Sequence, residues 1–72
     1  MAKPTTTQLS FIYQKINEVN PLMFPAEYYS YNDNKLMTRL EELSEGQYKY
    51  LLAMCYQKNE DKIKELIYQV PL

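Results

Sequence analysis

The sequence predicts an all-α domain, a small four-helix bundle with short turns and one long tyrosine-rich loop between the first and second helices. Three observations predict it. Apolar residues recur at three- and four-residue spacing in four separate stretches, residues that start and stop helices stand between them, and no stretch alternates in the manner of a strand with comparable quality. The helices are expected at about 6–19, 33–43, 45–58 and 60–70, within a single domain spanning all 72 residues.

Leu9, Ile12, Ile16 and Val19 lie on one side of the first helix. The hydroxyls of Thr5, Thr6 and Thr7 are placed to cap its free N–H groups, and the Asn20–Pro21 pair stops it. Leu36, Leu40 and Leu43 mark the second helix, entered through Asn32 or Asp33 as cap. The third starts at Ser44 with Gln47 three residues later, a capping box in which each side chain satisfies the other's backbone donor. Gly46 weakens that first turn slightly without forbidding it. Asn59 caps the last helix, whose first turn places Glu60 and Asp61 at the positive end of the helix dipole. Its apolar face is Ile63, Leu66, Ile67 and Val70, and Pro71 ends it. A continuous third and fourth helix is the alternative, since asparagine costs little in mid-helix.

Residues 20–31 form the one long connection. Leu22, Met23, Phe24 and three tyrosines make it too apolar for disorder, so it is expected to fold back and pack.

Composition excludes several functions. A single cysteine, Cys55, rules out an internal disulfide, and its apolar surroundings make it a small buried hydrophobe. With no histidine, the usual zinc ligand sets and histidine acid–base chemistry are absent. A net charge of −1 with lysines scattered among acids opposes nucleic-acid binding. The opening "MAKPTTTQ" lacks the apolar core of a leader and no run is long enough for a membrane span, so a cytoplasmic protein is expected. Glu41–Glu42 and Glu60–Asp61 are adjacent on helices, point about 100° apart and do not converge on one atom. No catalytic nucleophile with a base, phosphate loop or metal spacing is present, and the chain reads as non-enzymatic with no resident cofactor.

The third helix is the most informative. From Tyr48 to Tyr56 only Lys49 is polar, and Leu51, Leu52 and Cys55 suffice for an internal core. Tyr50, Met54 and Tyr56 are left on other faces. Two outcomes are open: the loop with Tyr28, Tyr29 and Tyr31 lies over them, or they form a subunit interface or ligand groove. The short turn at Leu43–Ser44 also permits a helix-turn-helix reading, opposed by a third helix rich in tyrosine and aliphatics rather than base-reading residues.

"QLSFIY" and "PAEYYSYNDNKLMTRLEELSEGQ" together resemble one half of the N-terminal carotenoid-binding helical domain of the cyanobacterial orange carotenoid protein family. The likeness covers roughly residues 8–55: a Leu-x-Phe-x-Tyr pattern, a Pro-Ala-x-Tyr, an asparagine-rich turn, a leucine-spaced helix and a Ser/Glu/Gly/Gln turn. That family's domain packs two four-helix units about a pseudo-twofold axis with pigment between them. Tyr13 falls where the family has a carotenoid-facing tyrosine and Phe11 matches the aromatic two places earlier, while Ile12 stands where the family stacks a tryptophan, a residue type this chain lacks. The resemblance implies a cyanobacterial setting near light harvesting. It also implies either a homodimer or a complex with a related helical protein, or a dimer enclosing a carotenoid or other small apolar ligand between Phe11, Tyr13 and the loop tyrosines.

Overall fold

The computed structural model describes residues 3–70 and is all-α, with no strand among them. Helix α1 spans Thr6–Val19, α2 Lys35–Glu41, α3 Glu45–Tyr56 and α4 Glu60–Gln69, and one 3₁₀ turn occupies Ala26–Tyr29 in the long connection.

Local chemistry sets the helix starts. Thr5 and Gln8 form a reciprocal capping box, the Thr5 Oγ1 accepting from the Gln8 N–H at 3.1 Å and the Gln8 Oε1 from the Thr5 N–H at 2.9 Å. Ser44 and Gln47 repeat the device at α3, at 3.1 and 2.8 Å. Asn59 caps α4 by accepting from the Lys62 N–H. The cap of α2 is Asn34, neither Asn32 nor Asp33, and the helix is correspondingly shorter than 33–43. The Asn34 Oδ1 accepts from the Met37 N–H at 2.9 Å while its Nδ2 donates to the Tyr13 hydroxyl at 3.3 Å, so a contact with α1 selects among three neighbouring cap residues. At the far end the Leu43 N–H bonds back to Leu40 in a tight turn, and Leu43 stays fully buried although it is no longer helical.

Helices α3 and α4 are separate. Gln57 caps α3, the Lys58 N–H donates to the Cys55 carbonyl and the Asn59 N–H to the Met54 carbonyl, the two bonds of a Schellman motif. That motif needs a left-handed residue, and Lys58 supplies it with φ 56°. The third helix therefore stops at Tyr56 rather than 58. Val70 caps α4, and Pro71, expected to end it, lies outside the described residues.

Every helix contributes to one core: Ile12 and Ile16 from α1, Leu36 and Leu40 from α2, Leu51 from α3, and Ile63 and Ile67 from α4 are all fully buried. Each such side chain contributes about 1.5–3 kcal/mol by leaving water. Helix α3 packs chiefly on α4 and also on α1, while α2 lies against α1, α4 and the 3₁₀ turn.

The long connection does fold back, but onto α2 and α4. Phe24 and Tyr28 stack with centroids 5.4 Å apart, and Tyr68 of α4 meets both rings edge-on at 5.6 and 5.8 Å. Met23, Phe24 and Tyr28 are buried in the core. The Phe24 N–H donates to the Tyr29 hydroxyl at 3.2 Å, so the loop closes partly on itself. Of the two outcomes left open, its tyrosines do not lie over α3, because the 3₁₀ turn, entered at Pro25, aims Tyr28 at Tyr68 and under the Arg39 guanidinium, whose Cζ is 5.0 Å from the ring centroid.

Candidate functional site

With the loop spent elsewhere, the outer surface of α3 stays open. Successive helix positions turn by about 100°, which puts Tyr50 and Tyr56 about 120° apart, on opposite flanks of the buried Leu51–Cys55 edge. Tyr50 is 44% exposed and Tyr56 64%, and Met54 is half-buried against the core. Only Tyr56 faces α1.

Helices α1 and α3 run side by side in the same direction. The Tyr48 hydroxyl, near the start of α3, donates to the Gln8 carbonyl near the start of α1 at 3.3 Å. One to two turns on, the Lys15 Nζ sits 5.3 Å from the centroids of both the Phe11 and the Tyr56 rings. Spacing creates this cluster: Gln8, Phe11, Lys15 and Glu18 share one face of α1, and Tyr48, Leu52 and Tyr56 share one face of α3. Two grooves follow the seam between these faces. The larger, about 480 Å³, is lined by Pro4, Gln8, Tyr48 and Leu52 with Lys3, Thr5, Glu45 and Lys49 at its sides. The smaller, about 110 Å³, runs over Cys55 beside Lys15, Glu18, Val19, Tyr56 and Lys58.

Electrostatics at the seam follow from burial. Cys55 forms part of the floor, and burial pushes its thiol up to about 11, with Lys15 pulling weakly the other way. The thiol is therefore neutral at physiological pH and unsuited to nucleophilic work. Burial also raises the Tyr48 phenol, and Tyr29 in the loop for the same reason, partly offset by the hydrogen bond from the Phe24 backbone. Glu18 meets Lys15 at 3.4 Å and Glu45 meets Lys49 at 3.2 Å, both pairs open to water.

No protein-family model, curated protein or solved structure matches this chain. Its possible sites thus rest on its own geometry.

Of the eight residues singled out from sequence, the fold brings Phe11 and Tyr56 together around Lys15 and sets Tyr13 near Tyr29 on another side of α1. Tyr13 is 200° around α1 from Phe11 by helix geometry (about two residues' turn) and faces Asn34 of α2. Tyr28 belongs to the core, Tyr29 is half-buried by its own loop, and Tyr31 projects fully into solvent at 100% exposure. One chain alone does not gather Phe11, Tyr13 and the loop tyrosines around a common cavity. Sequence reasoning missed Lys15, Tyr48 and Leu52. Their signal was available as the i, i+4 and i+8 positions Tyr48, Leu52 and Tyr56, a stripe hidden among the other apolar residues of α3.

Among the described residues no helix is long and apolar enough to cross a membrane.

Proposed function

We propose that this chain is a non-catalytic helical interaction module that works by pressing its α1–α3 side against a second helical surface, a copy of itself or a related helical protein. One observation carries the reading: the aromatic loop is consumed against α2 and α4, so Phe11 and Tyr56 remain uncovered around Lys15. Rings held in place by neighbours and presented to water are what interface centres are made of, because they bury large area with little loss of side-chain freedom. A bound surface would also add stability to a chain whose single small core supplies only about 3–5 kcal/mol. The setting we propose, regulation or assembly near cyanobacterial light harvesting, is supported by the likeness of residues 8–55 to a unit of the orange carotenoid protein domain.

Sedimentation velocity across the micromolar range, alongside capture from a cyanobacterial lysate, tests this. The expected result is a species heavier than the 8.6 kDa chain, or a retained protein, that is lost in a Phe11→Ser/Tyr56→Ser variant with an unchanged circular dichroism spectrum. A monomer at every concentration, with capture indifferent to the double substitution, would remove the reading.

A further inference from the structure

The seam between α1 and α3 is charged opposite to the rest of the molecule. Lys3, Lys15, Lys49 and Lys58 line its grooves against two acids, Glu18 and Glu45. It therefore carries +2, leaving −3 on the remainder of a chain whose net charge is −1. Three of the lysines meet carboxylates: Lys3 with Glu42 at 2.7 Å, Lys15 with Glu18 at 3.4 Å, Lys49 with Glu45 at 3.2 Å. All three pairs are exposed, and such pairs contribute about 0–1 kcal/mol, so an arriving carboxylate exchanges with them at little cost. Among the described residues no carboxylate pairs with Lys58. It lines the smaller groove from an exposed position just past the end of α3.

We propose that this seam docks an amphipathic helix of a partner protein whose apolar stripe is flanked by aspartate and glutamate. The inference rests on the interaction-module reading and names the partner's chemistry. Parallel helices leave a furrow that a third helix fills, here lined by Tyr48 and Leu52 at one end and by Cys55 and Tyr56 at the other, with Phe11 reaching Tyr56 through Lys15. Carboxylates at the edges of the incoming stripe reach Lys3 and Lys49 at the start of the seam and Lys15 and Lys58 at its far end, one of each pair from the α1 side and one from the α3 side. Charge selects this occupant over two others. A second copy using the same seam sets +2 against +2, which a twofold contact cannot avoid. A nucleic acid, which binds by neutralising many phosphates, finds only a net +2 at the seam.

The probes are two fluorescein-labelled helical peptides of about 18 residues, enough for five turns. Both carry leucine and phenylalanine at i, i+3, i+4 and i+7, flanked in one by glutamate and in the other by lysine. Fluorescence anisotropy with the intact chain should show the glutamate peptide bound at least about tenfold tighter, the preference shrinking as salt is raised to about 0.5 M. Amide shifts of the labelled protein should concentrate on Gln8, Phe11, Lys15, Leu52 and Tyr56. Equal affinities, a preference for the lysine peptide, tighter binding of a short DNA duplex, or shifts centred on α2 and α4 would each overturn the proposal. Sedimentation of the peptide-free chain separates the two readings. A dimer dissolved by Tyr56→Ser, with no peptide preference, overturns the acidic-helix partner and keeps the module; a monomer that binds neither peptide, with lysate capture indifferent to Phe11→Ser/Tyr56→Ser, removes both.

Discussion

Two regions of this molecule use the same parts to opposite ends. On the α2–α4 side the Arg39 guanidinium lies over Tyr28, which stacks on Phe24 and is closed off by Tyr68. On the α1–α3 side the Lys15 ammonium lies over Phe11 and Tyr56, and among the described residues nothing closes them off. The first cluster has three rings in mutual contact and a cation whose Nε and Nη1 are buried without a partner. The second has two rings joined only through a cation that keeps its access to water. Aromatic–cation composition therefore does not decide between stability and recognition. What decides is whether a further segment of chain is free to cover the cluster, and the only long connection has gone to the first.

The largest expected difference between the regions is in stability. Phe24→Ala should cost about 3–5 kcal/mol, close to the whole reserve of so small a core, and leave the chain largely unfolded by circular dichroism at 25 °C. A folded variant with a melting temperature near that of the parent would mean that the closed cluster is no tighter than the open one.

Alkaline titration comes next and reports on both sides. Unfolded, Cys55 loses its proton near 9, while in the fold it holds it to about 11, so the unfolded state binds fewer protons across that window. Stability must then fall as pH rises from about 9 to about 11. Tyr48 at the open seam and Tyr29 in the closed loop, both raised by burial, extend the decline above 10 with the same sign. Thermal melts over this range should show a shallower slope in Cys55→Ala; an identical slope would place the titrating groups elsewhere.

Lys58→Gly should raise stability by about 1 kcal/mol, since glycine takes the left-handed position freely. The same change removes a charge from the seam, so the glutamate-flanked peptide should bind more weakly. Stability and binding moving in opposite directions is the sharp form of the contrast between the regions.

Arg39→Met keeps the stem over Tyr28 and deletes two buried donors that find no acceptor. Unpaired buried donors cost about 1–3 kcal/mol each and a desolvated cation–π contact contributes about 2, so chemical denaturation should give equal or slightly greater stability. A loss above about 1 kcal/mol would reveal a water or other partner for the guanidinium.

Tyr56→Ser has the smallest expected effect on folding, within about 0.5 kcal/mol, because its ring is mostly in solvent. A large loss would show that the seam is structural after all.

Much of the fold was legible in the sequence because its signals are local. Capping boxes act over three residues, so Ser44–Gln47 and the Asn59 cap could be read directly, and the spacing of Ile12 and Ile16 or Ile63 and Ile67 named core residues correctly. The misreadings fall where a distant partner chooses among local equals. Asn34 wins over Asn32 and Asp33 through Tyr13, twenty-one positions away. Leu43 is buried as its spacing implies, yet lies in a turn, since apolar period reports burial rather than backbone conformation.

By itself, then, the sequence determined four helices, the caps that start α3 and α4 and which stripe of each helix faces inward, because hydrogen-bond caps and apolar periodicity operate within a few residues. It also determined that α3 carries more apolar surface than one core can use. Only the tertiary structure decided which tyrosines are covered and which are presented. That choice hangs on contacts between residues some forty positions apart, such as Phe24 with Tyr68 and Tyr48 with Gln8. Such pairings depend on the direction in which a loop returns, and no short-range pattern encodes it.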